Sequence, residues 1–319
     1  MAMTQDNMAQ KIMCLGAHVF DVQVYPVDSI PEGQGAALVQ AIKFSPAGAA
    51  GGTAVTAAKL GAQVSAAGAI GTDAIGDQFL TMLTRYGIDV TALQRHDAHQ
   101  TSASVLPIRS DGSRPALHIP GANLAITLTD ELIAAASHHT HLHVGAPELL
   151  GGQSYSTILR AARHRGTVTS ADILASGDPG TLEWIAPALP HLDYLLPNAD
   201  QVLGLTGAAT IEDGCRQLID RGVGAVVATL GADGAIIVTD TEIVRAPAFS
   251  IDVIDTTGCG DAFSAGFLRG IGIGRSTLEA AVLGNATAAQ VAGGLGSDHG
   301  DFDLESVDAF AANHEPLLR

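Results

Sequence analysis

The chain has 319 residues, 47% of them hydrophobic, so it is long and apolar enough to bury a substantial core. Its 16 lysines and arginines against 33 aspartates and glutamates give a net charge of −17, which argues against a nucleic-acid-binding face or attachment to an anionic membrane. Its three cysteines have no paired spacing, and no apolar run is long enough to cross a membrane. We therefore predict a cytoplasmic globular protein.

The chain begins with a polar segment, residues 1–10, which we expect to be flexible and which has no signal-peptide pattern. Residues 12–16 are apolar and end at a glycine, which predicts a buried first strand. Asp21 follows, where a carboxylate beyond a central strand is well placed to bind a ligand; an ordinary loop carboxylate is the alternative. Alternating apolar residues within 36–44 favour a strand or two.

A glycine-rich turn in residues 46–61 runs into an alanine-rich helix that Gly61 ends. Taken alone, these glycines favour close helix packing or close approach of a ligand. Residues 68–88 predict a strand end, a loop containing Asp73, to which we assign a structural role, and an amphipathic helix. Residues 101–119 alternate in polarity around Asp111-Gly112, a hairpin signal.

Four histidines within residues 138–143 raise the question of a metal site, because three of them alternate on one face of a strand. No acidic or cysteine partner lies nearby in sequence, so we favour surface histidines on a strand over a metal site. Helical patterns near 153–165, 179–189, 200–206 and 212–221 then alternate with short apolar strands at 167–171, 193–196 and 224–229. This rhythm predicts an α/β fold with a doubly wound, mostly parallel sheet flanked by helices, and a site at the strand ends.

The most informative stretch is residues 255–261, Asp-Thr-Thr-Gly-Cys-Gly-Asp, between a strand-like run and a helix. Its glycines allow close approach of the backbone, and free N–H groups at a helix start attract an anion. Asp261 lies in the first helical turn, beside such an anion, where a carboxylate can accept a proton from a hydroxyl. The alternative is a helix that Asp261 merely caps.

Residues 255–261 resemble the second signature of the ribokinase-like (PfkB) carbohydrate kinases, with Cys259 where alanine is usual. Residues 46–61 resemble the first signature, with Ala47 in place of a glycine and Gly52 in place of an asparagine. The resemblance extends from about residue 11 to residue 300. It implies one kinase domain over residues 11–319, with the strands of a small β-sheet lid inserted at about 22–46 and 99–122.

The resemblance also implies roles for individual residues. It makes Asp261 the catalytic base and makes the amides of Gly258, Cys259 and Gly260 an anion hole. It places the hydroxyl acceptor against Asp21, Gly48, Gly51 and Gly52, and ATP against Asn198, Thr229, Gly231, Gly234 and Asn285. Magnesium use is implied too, although Gln201 replaces the family's glutamate, with Asp200 beside it. Asp255 and Thr257, with residues 294–300, resemble a site for a monovalent cation such as K⁺.

The resulting expectation is an ATP-dependent kinase that phosphorylates a hydroxyl of a sugar or sugar derivative. Ribose is not the first choice, because Val19, Ala49, Gly52 and Gly145 stand where polar sugar contacts are expected. A nucleoside kinase remains open, with Phe44 as a stacking residue. A non-catalytic sensor is a further alternative, motivated by Gly52 and Gln201. The expected partner is a small-molecule acceptor, and a homodimer through the lid is left open. No Walker-type, nucleophile-elbow or His-Glu-x-x-His motif is present.

Overall fold

The structure is a computed structural model that describes residues 10–110 and 113–317. Most of the segment predicted to be flexible, and the hairpin signal at Asp111-Gly112, lie outside the described residues. The strands are β1 (Lys11–Gly16), β2 (Val19–Tyr25), β3 (Ala41–Ala47), β4 (Gln63–Gly71), β5 (Asp89–His96), β6 (Ala103–Pro107), β7 (Leu117–Ile119), β8 (His141–Gly145), β9 (Val168–Asp172), β10 (Tyr194–Leu195), β11 (Ala225–Thr229), β12 (Ala235–Val238), β13 (Ile243–Ala246), β14 (Ala248–Phe249) and β15 (Pro316–Leu317). The α-helices are α1 (Ala49–Lys59), α2 (Ala74–Arg85), α3 (Asp130–Ala136), α4 (Gly152–His164), α5 (Pro179–Ile185), α6 (Ala199–Thr206), α7 (Ile211–Asp220), α8 (Cys259–Gly272), α9 (Thr277–Ala292) and α10 (Leu304–Asn313).

The main sheet has nine strands in the order β13-β12-β11-β10-β9-β8-β1-β4-β5. From β11 to β5 every neighbouring pair is parallel, whereas β12 and β13 are added antiparallel at one edge. Because successive side chains of a strand point to opposite faces, Ile12 and Cys14 pack against α1, α2, α8 and α9, and Met13 and Leu15 pack toward α3–α7. The predicted doubly wound, mostly parallel α/β fold is therefore confirmed.

A separate small sheet, the lid, has the order β3-β2-β6-β7. It begins at Val19, with two residues between it and the end of β1, and not near residue 22. Asp21 therefore lies on a lid strand, which corrects its expected place at the end of the central strand. The predicted strand within 36–44 is β3, which begins at Ala41 and runs on to Ala47.

One asparagine joins two of the places where the chain passes between the lid and the core. Asn123 Oδ1 accepts a hydrogen bond from the backbone N–H of His18 at 3.2 Å, and Asn123 Nδ2 donates to the backbone carbonyl of His18 at 3.1 Å. His18 connects β1 to the lid, and Asn123 lies just after the lid chain returns. Both residues are buried, so these bonds fix the base of the lid to the core.

The predicted helices and strands after residue 150 are all present, with one change of type. The helix expected at 179–189 ends at Ile185 and continues as a 3₁₀ helix, Ala186–His191. Pro187 has no N–H to continue the α-helical hydrogen bonds, which explains the change.

The expectation of surface histidines is wrong for β8, because this strand enters the core. β8 is buried along its whole length, and His143 Nδ1 lies 2.9 Å from Ser170 Oγ. Within residues 10–110 and 113–317, no group of three or more His, Cys, Asp and Glu side chains is arranged to hold a metal ion. In the same ranges, no helix combines the length and the apolar character that crossing a bilayer requires.

Candidate active site

The loop before α8 has a conformation that requires glycine at its end. Gly258 caps α8 with φ 78° and ψ 4°, in the left-handed region, and a Cβ there would lie 2.3 Å from Ser297 Cβ. The buried carboxylate of Asp255 holds the preceding turn, accepting from Thr257 N at 2.9 Å and Thr257 Oγ1 at 2.6 Å. Its other oxygen accepts from Gly296 N at 3.0 Å. The free N–H groups at the start of α8 are thereby held in one position.

Two cavities meet at this loop. The first, 410 Å³, is lined by Gly231, Gly234, Asn285 and Cys259 among others. The second, 420 Å³, is lined by residues that include Asp21, Gly48, Asn198 and Asp261. Thr229, Thr256 and Gly260 line both cavities, so the two cavities adjoin at the loop before α8. A group transferred from one cavity to the other would pass the N-terminus of α8, where negative charge is stabilised.

Asp261 lies in the first turn of α8 and faces the second cavity. Its pKa is raised from 3.8 to about 7, chiefly because burial disfavours the charged form and also because the Asp21 carboxylate repels it; Arg114 opposes the shift. Burial likewise raises the pKa of Asp21 to about 6, opposed by a hydrogen bond from Ser104 and by the charge of Arg114. Two carboxylates with raised pKa values in one cavity are typical of a proton-transfer site.

The structure separates the glycines that we assigned to the acceptor. Gly48 lines the second cavity, with φ 85° and no room for a side chain against Ala17 and Val19. Gly51 packs against His18, and Gly52 lies under Asp261. Neither Gly51 nor Gly52 is among the lining residues of that cavity.

Gly145 also lies outside the cavity lining. A Cβ at Gly145 would lie 2.2 Å from the backbone nitrogen of Ala50, so close packing explains why a glycine stands here. Phe44 lies on the outer face of the lid, 52% exposed, with its ring centroid 5.4 Å from that of Phe20. The interpretation of Phe44 as a stacking residue in the acceptor cavity is therefore wrong.

The residues assigned to ATP mostly line the first cavity, with one exception. Asn285 Nδ2 donates to the carbonyl oxygens of Ala246 at 3.3 Å and Pro247 at 2.9 Å, which orients its side chain beside the cavity. Gly231 and Gly234 have φ values of 60° and 84° at the ends of a tight turn. Asn198, the exception, lines the second cavity.

Gln201 has a structural reason to be an amide. Its Oε1 accepts from Asn198 N at 2.8 Å, and Asn198 Oδ1 accepts from Gln201 N at 2.9 Å, forming a capping box. Gln201 Nε2 donates to Ile173 O at 2.7 Å, in a buried position. A glutamate cannot donate this bond when ionised, so the amide locks the loop after β9 to α6.

Two charged residues of the second cavity were not predicted from the sequence. Asp172 ends β9 and is 7% exposed, with Oδ2 3.3 Å from Ser264 Oγ. Burial, and then the charges of Asp261 and Glu148, raise its pKa well above the ordinary value. The reasoning that selected Asp21, a carboxylate beyond the end of an apolar strand, would also have selected Asp172.

Arg114 is the second missed residue, on the lid between β6 and β7. Its Nε lies 3.3 Å from Thr256 Oγ1 and 3.9 Å from Asp255 Oδ1. Among the described residues that line this cavity, it is the one arginine or lysine. No local pattern indicates Arg114, because only the folding of the lid over α8 brings it to the loop.

The family model for the pfkB family of carbohydrate kinases matches residues 9–301, nearly the whole chain. The chain belongs to this family. As a pfkB kinase it is a phosphotransferase with an alcohol group as acceptor, and the family implies ATP and Mg²⁺ as cofactors.

Curated relatives extend over most of the pfkB chain. It is 26% identical over 258 residues to a deoxyribokinase of Salmonella typhi, covering 79% of this chain and 82% of the relative. It is 30% identical over 253 residues to an aminoimidazole riboside kinase of Salmonella typhimurium, covering 76% and 77%. An ATP-dependent ribose-1-phosphate kinase of Halopiger xanaduensis is 29% identical over 292 residues, with coverage of 90% and 92%.

Solved structures share the fold. A ribokinase of Arabidopsis thaliana, complexed with ribose and ATP, superposes with a TM-score of 0.80 at 21% identity, covering 95% of this chain and 99% of that one. A fructokinase of Vibrio cholerae, with fructose, ADP and calcium bound, gives a TM-score of 0.77 at 24% identity, again covering 95% and 99%. At these identities the likeness establishes the ribokinase-like fold.

Proposed function

We propose that this pfkB kinase transfers the γ-phosphoryl group of ATP to a hydroxyl of a sugar or sugar derivative, with Asp261 as the base. The observation that carries the proposal is the meeting of two cavities at Thr229, Thr256 and Gly260. ATP occupies the cavity lined by Gly231, Gly234 and Asn285, and the acceptor occupies the cavity lined by Asp21 and Asp261.

In the proposed reaction the acceptor hydroxyl attacks the γ-phosphorus while Asp261 takes its proton. A new oxygen–phosphorus bond forms, the bond to the β-phosphate oxygen breaks, and ADP leaves with the bonding electrons. The N–H groups of residues 258–260 stabilise the charge on the transferring group, as preorganised donors do in a site that excludes water. Asp21 holds the acceptor in place, and Arg114 lies beside the same loop.

Magnesium fits the oxygen-rich side of the second cavity. Asp172 and Asn198 both line it and both carry oxygens, the ligand type that Mg²⁺ prefers. When bound, Mg²⁺ neutralises charge on the nucleotide phosphates. Asp255 and Thr257, predicted as ligands of a monovalent cation, are already bonded to each other, and Asp255 also accepts from Gly296.

A sugar is favoured over a nucleoside by the lining of the acceptor cavity. Among the described lining residues His118 carries the one ring, and its Nδ1 is 3.0 Å from Ser104 Oγ. Phosphorylation of a nucleoside remains the alternative, because the chain is similar to an aminoimidazole riboside kinase. The sensor alternative loses its motivation, because Gly52 and Gln201 have packing and hydrogen-bonding explanations.

The test is ADP release from Mg-ATP across a panel of sugars, sugar phosphates and nucleosides, with the Asp261→Ala variant beside the native protein. Acceptor-dependent turnover that the variant lacks supports the proposal and names the acceptor class. Turnover with nucleosides alone supports the alternative. ATP binding without acceptor-dependent turnover supports a sensor.

We also propose a homodimer through the lid. The outer face of the lid exposes Ile42, Phe44 and Leu117, which are 62%, 52% and 68% accessible. Exposed apolar side chains grouped on one sheet face favour an interface. Light scattering on the native protein and on an Ile42→Lys variant tests this: the native protein is expected to be dimeric and the variant monomeric.

The cytoplasmic location and the absence of nucleic-acid and membrane partners stay predictions.

A further inference from the structure

Two of the chain's three lysines bind the same loop. Lys59 Nζ, at the end of α1, donates to the backbone carbonyls of residues 298, 299 and 300 at 2.7, 3.2 and 2.6 Å. Lys43 Nζ, on lid strand β3, donates to Leu295 O at 2.6 Å and lies 2.7 Å from Asp298 Oδ1. The third lysine, Lys11, is exposed at the start of β1. Two of so few lysines therefore serve one loop, residues 295–300. We call it the carbonyl loop.

The carbonyl loop supports the anion hole directly. Gly296 N donates to Asp255, whose carboxylate also holds Thr257, and Ser297 fills the space next to Gly258. Ser297 Oγ donates to Pro46 O at 2.8 Å, which ties the loop to the end of β3. A shift of the carbonyl loop would therefore move the amides at the start of α8.

The environment of Lys59 is that of a bound cation. Its ammonium group has three carbonyl ligands and lies 4.5 Å from the centroid of the Phe302 ring. Asp298 and Asp301 contribute negative charge around it, and Lys43 contributes positive charge. Carbonyl oxygens around a positive charge are the arrangement that proteins use to hold K⁺.

We propose that Lys43 and Lys59 are positioning residues whose ammonium groups hold the carbonyl loop against the anion hole in place of a free monovalent cation. Phosphoryl transfer then requires no K⁺. This inference rests on the proposed kinase function. It removes the need for the cation that the family resemblance suggested at Asp255 and Thr257.

The first experiment measures turnover in tetramethylammonium buffer, with and without added K⁺. It uses the acceptor that the ADP-release panel identifies. We expect the native protein and the control Lys11→Met to turn over equally in both buffers. Lys59→Met is expected to lower kcat roughly 10- to 100-fold, because a small misplacement at a reacting centre slows the reaction by such factors. The KM for ATP should change little. Added K⁺ or NH₄⁺ should restore part of the loss. Lys43→Met should show the same pattern.

A second readout does not depend on turnover. K⁺ should raise the thermal unfolding temperature of Lys59→Met and leave that of the native protein and Lys11→Met unchanged. A native protein whose turnover or unfolding temperature rises with K⁺, beyond the rise that the same concentration of tetramethylammonium gives, overturns the inference. So does a folded Lys59→Met with native turnover. If the native protein has no turnover with any acceptor, the proposed function fails, and the unfolding data alone decide the inference.

Discussion

Gly52 lies directly under the carboxyl group of Asp261. A Cβ at position 52 would lie 2.2 Å from Asp261 Oδ2, 2.8 Å from its Cγ and 2.9 Å from its Cβ. All three distances are shorter than van der Waals contact, so the whole Asp261 side chain would have to move. The glycine that replaces the asparagine of the first signature therefore leaves room for the proposed base where it stands.

Gly52→Ala is expected to lower kcat by about 100-fold, because a displaced base no longer meets the acceptor hydroxyl. Gly293→Ala is the matched control, since a Cβ there meets only Gln290 O at 3.6 Å, an ordinary contact. Steady-state kinetics with saturating ATP measure both variants. Native kcat in a folded Gly52→Ala would show that Asp261 is free to shift without cost.

Asp261→Ala is expected to lower kcat by ~10² to 10⁴-fold, the usual contribution of a positioned general base. Asp240→Ala, at an exposed turn, is the control for loss of a carboxylate. Binding of ATP, followed by calorimetry, should be nearly unchanged in both variants. A near-native kcat in Asp261→Ala would remove this residue from the role of base.

The value of kcat/KM should rise with pH through about 7, because the pKa of Asp261 is raised to about 7 and a base acts only when deprotonated. The nearby Asp21, whose pKa is raised to about 6, titrates in the same range and broadens the rise. A pH profile of the native enzyme measures this. A rise centred near 4, the ordinary range of a carboxyl group, would contradict the assignment.

The same pKa predicts how stability depends on pH. The unfolded chain releases the Asp261 proton near 3.8, whereas the folded protein keeps it to about 7, so the contribution of Asp261 to stability falls as pH rises between these values. The Asp261→Asn variant has no titrating group at this position, so it does not lose stability in this way as pH rises. Urea unfolding should show the variant gaining stability relative to the native protein at about pH 8, with no such gain at about pH 3. An equal difference at both pH values would contradict the prediction.

Gln201→Glu, which restores the residue usual in the family, is expected to destabilise the protein by about 1–3 kcal/mol, because it removes the donor to Ile173 O in a buried position. Gln153→Glu, in the first turn of α4 and exposed, is the control. Urea unfolding measures both. If the Gln201→Glu protein has native stability and a raised kcat, the family's glutamate still fits this site.

The sequence predicted most of the fold and the centre of the candidate site. The parallel sheet follows from the alternation of apolar strands and helices, and Asp73 has the structural role assigned to it, accepting from Gly76 N and Thr101 N. Phe44 was wrongly placed in the acceptor cavity. Alternating polarity along a lid strand shows that the strand has two different faces, but it does not show which of them covers the site. Arg114 was missed because its place beside Thr256 depends on tertiary folding alone.

The pairing of Asn123 with His18 has a consequence for how the lid moves. His18 lies where the chain first leaves the core for the lid and Asn123 lies where it last returns, so their two hydrogen bonds would hold these points together during a lid movement. The four strands of the lid are hydrogen-bonded to one another, so they would move as one body. Asp21 on β2 and Arg114 beyond β6 would then approach the second cavity, or leave it, in the same movement.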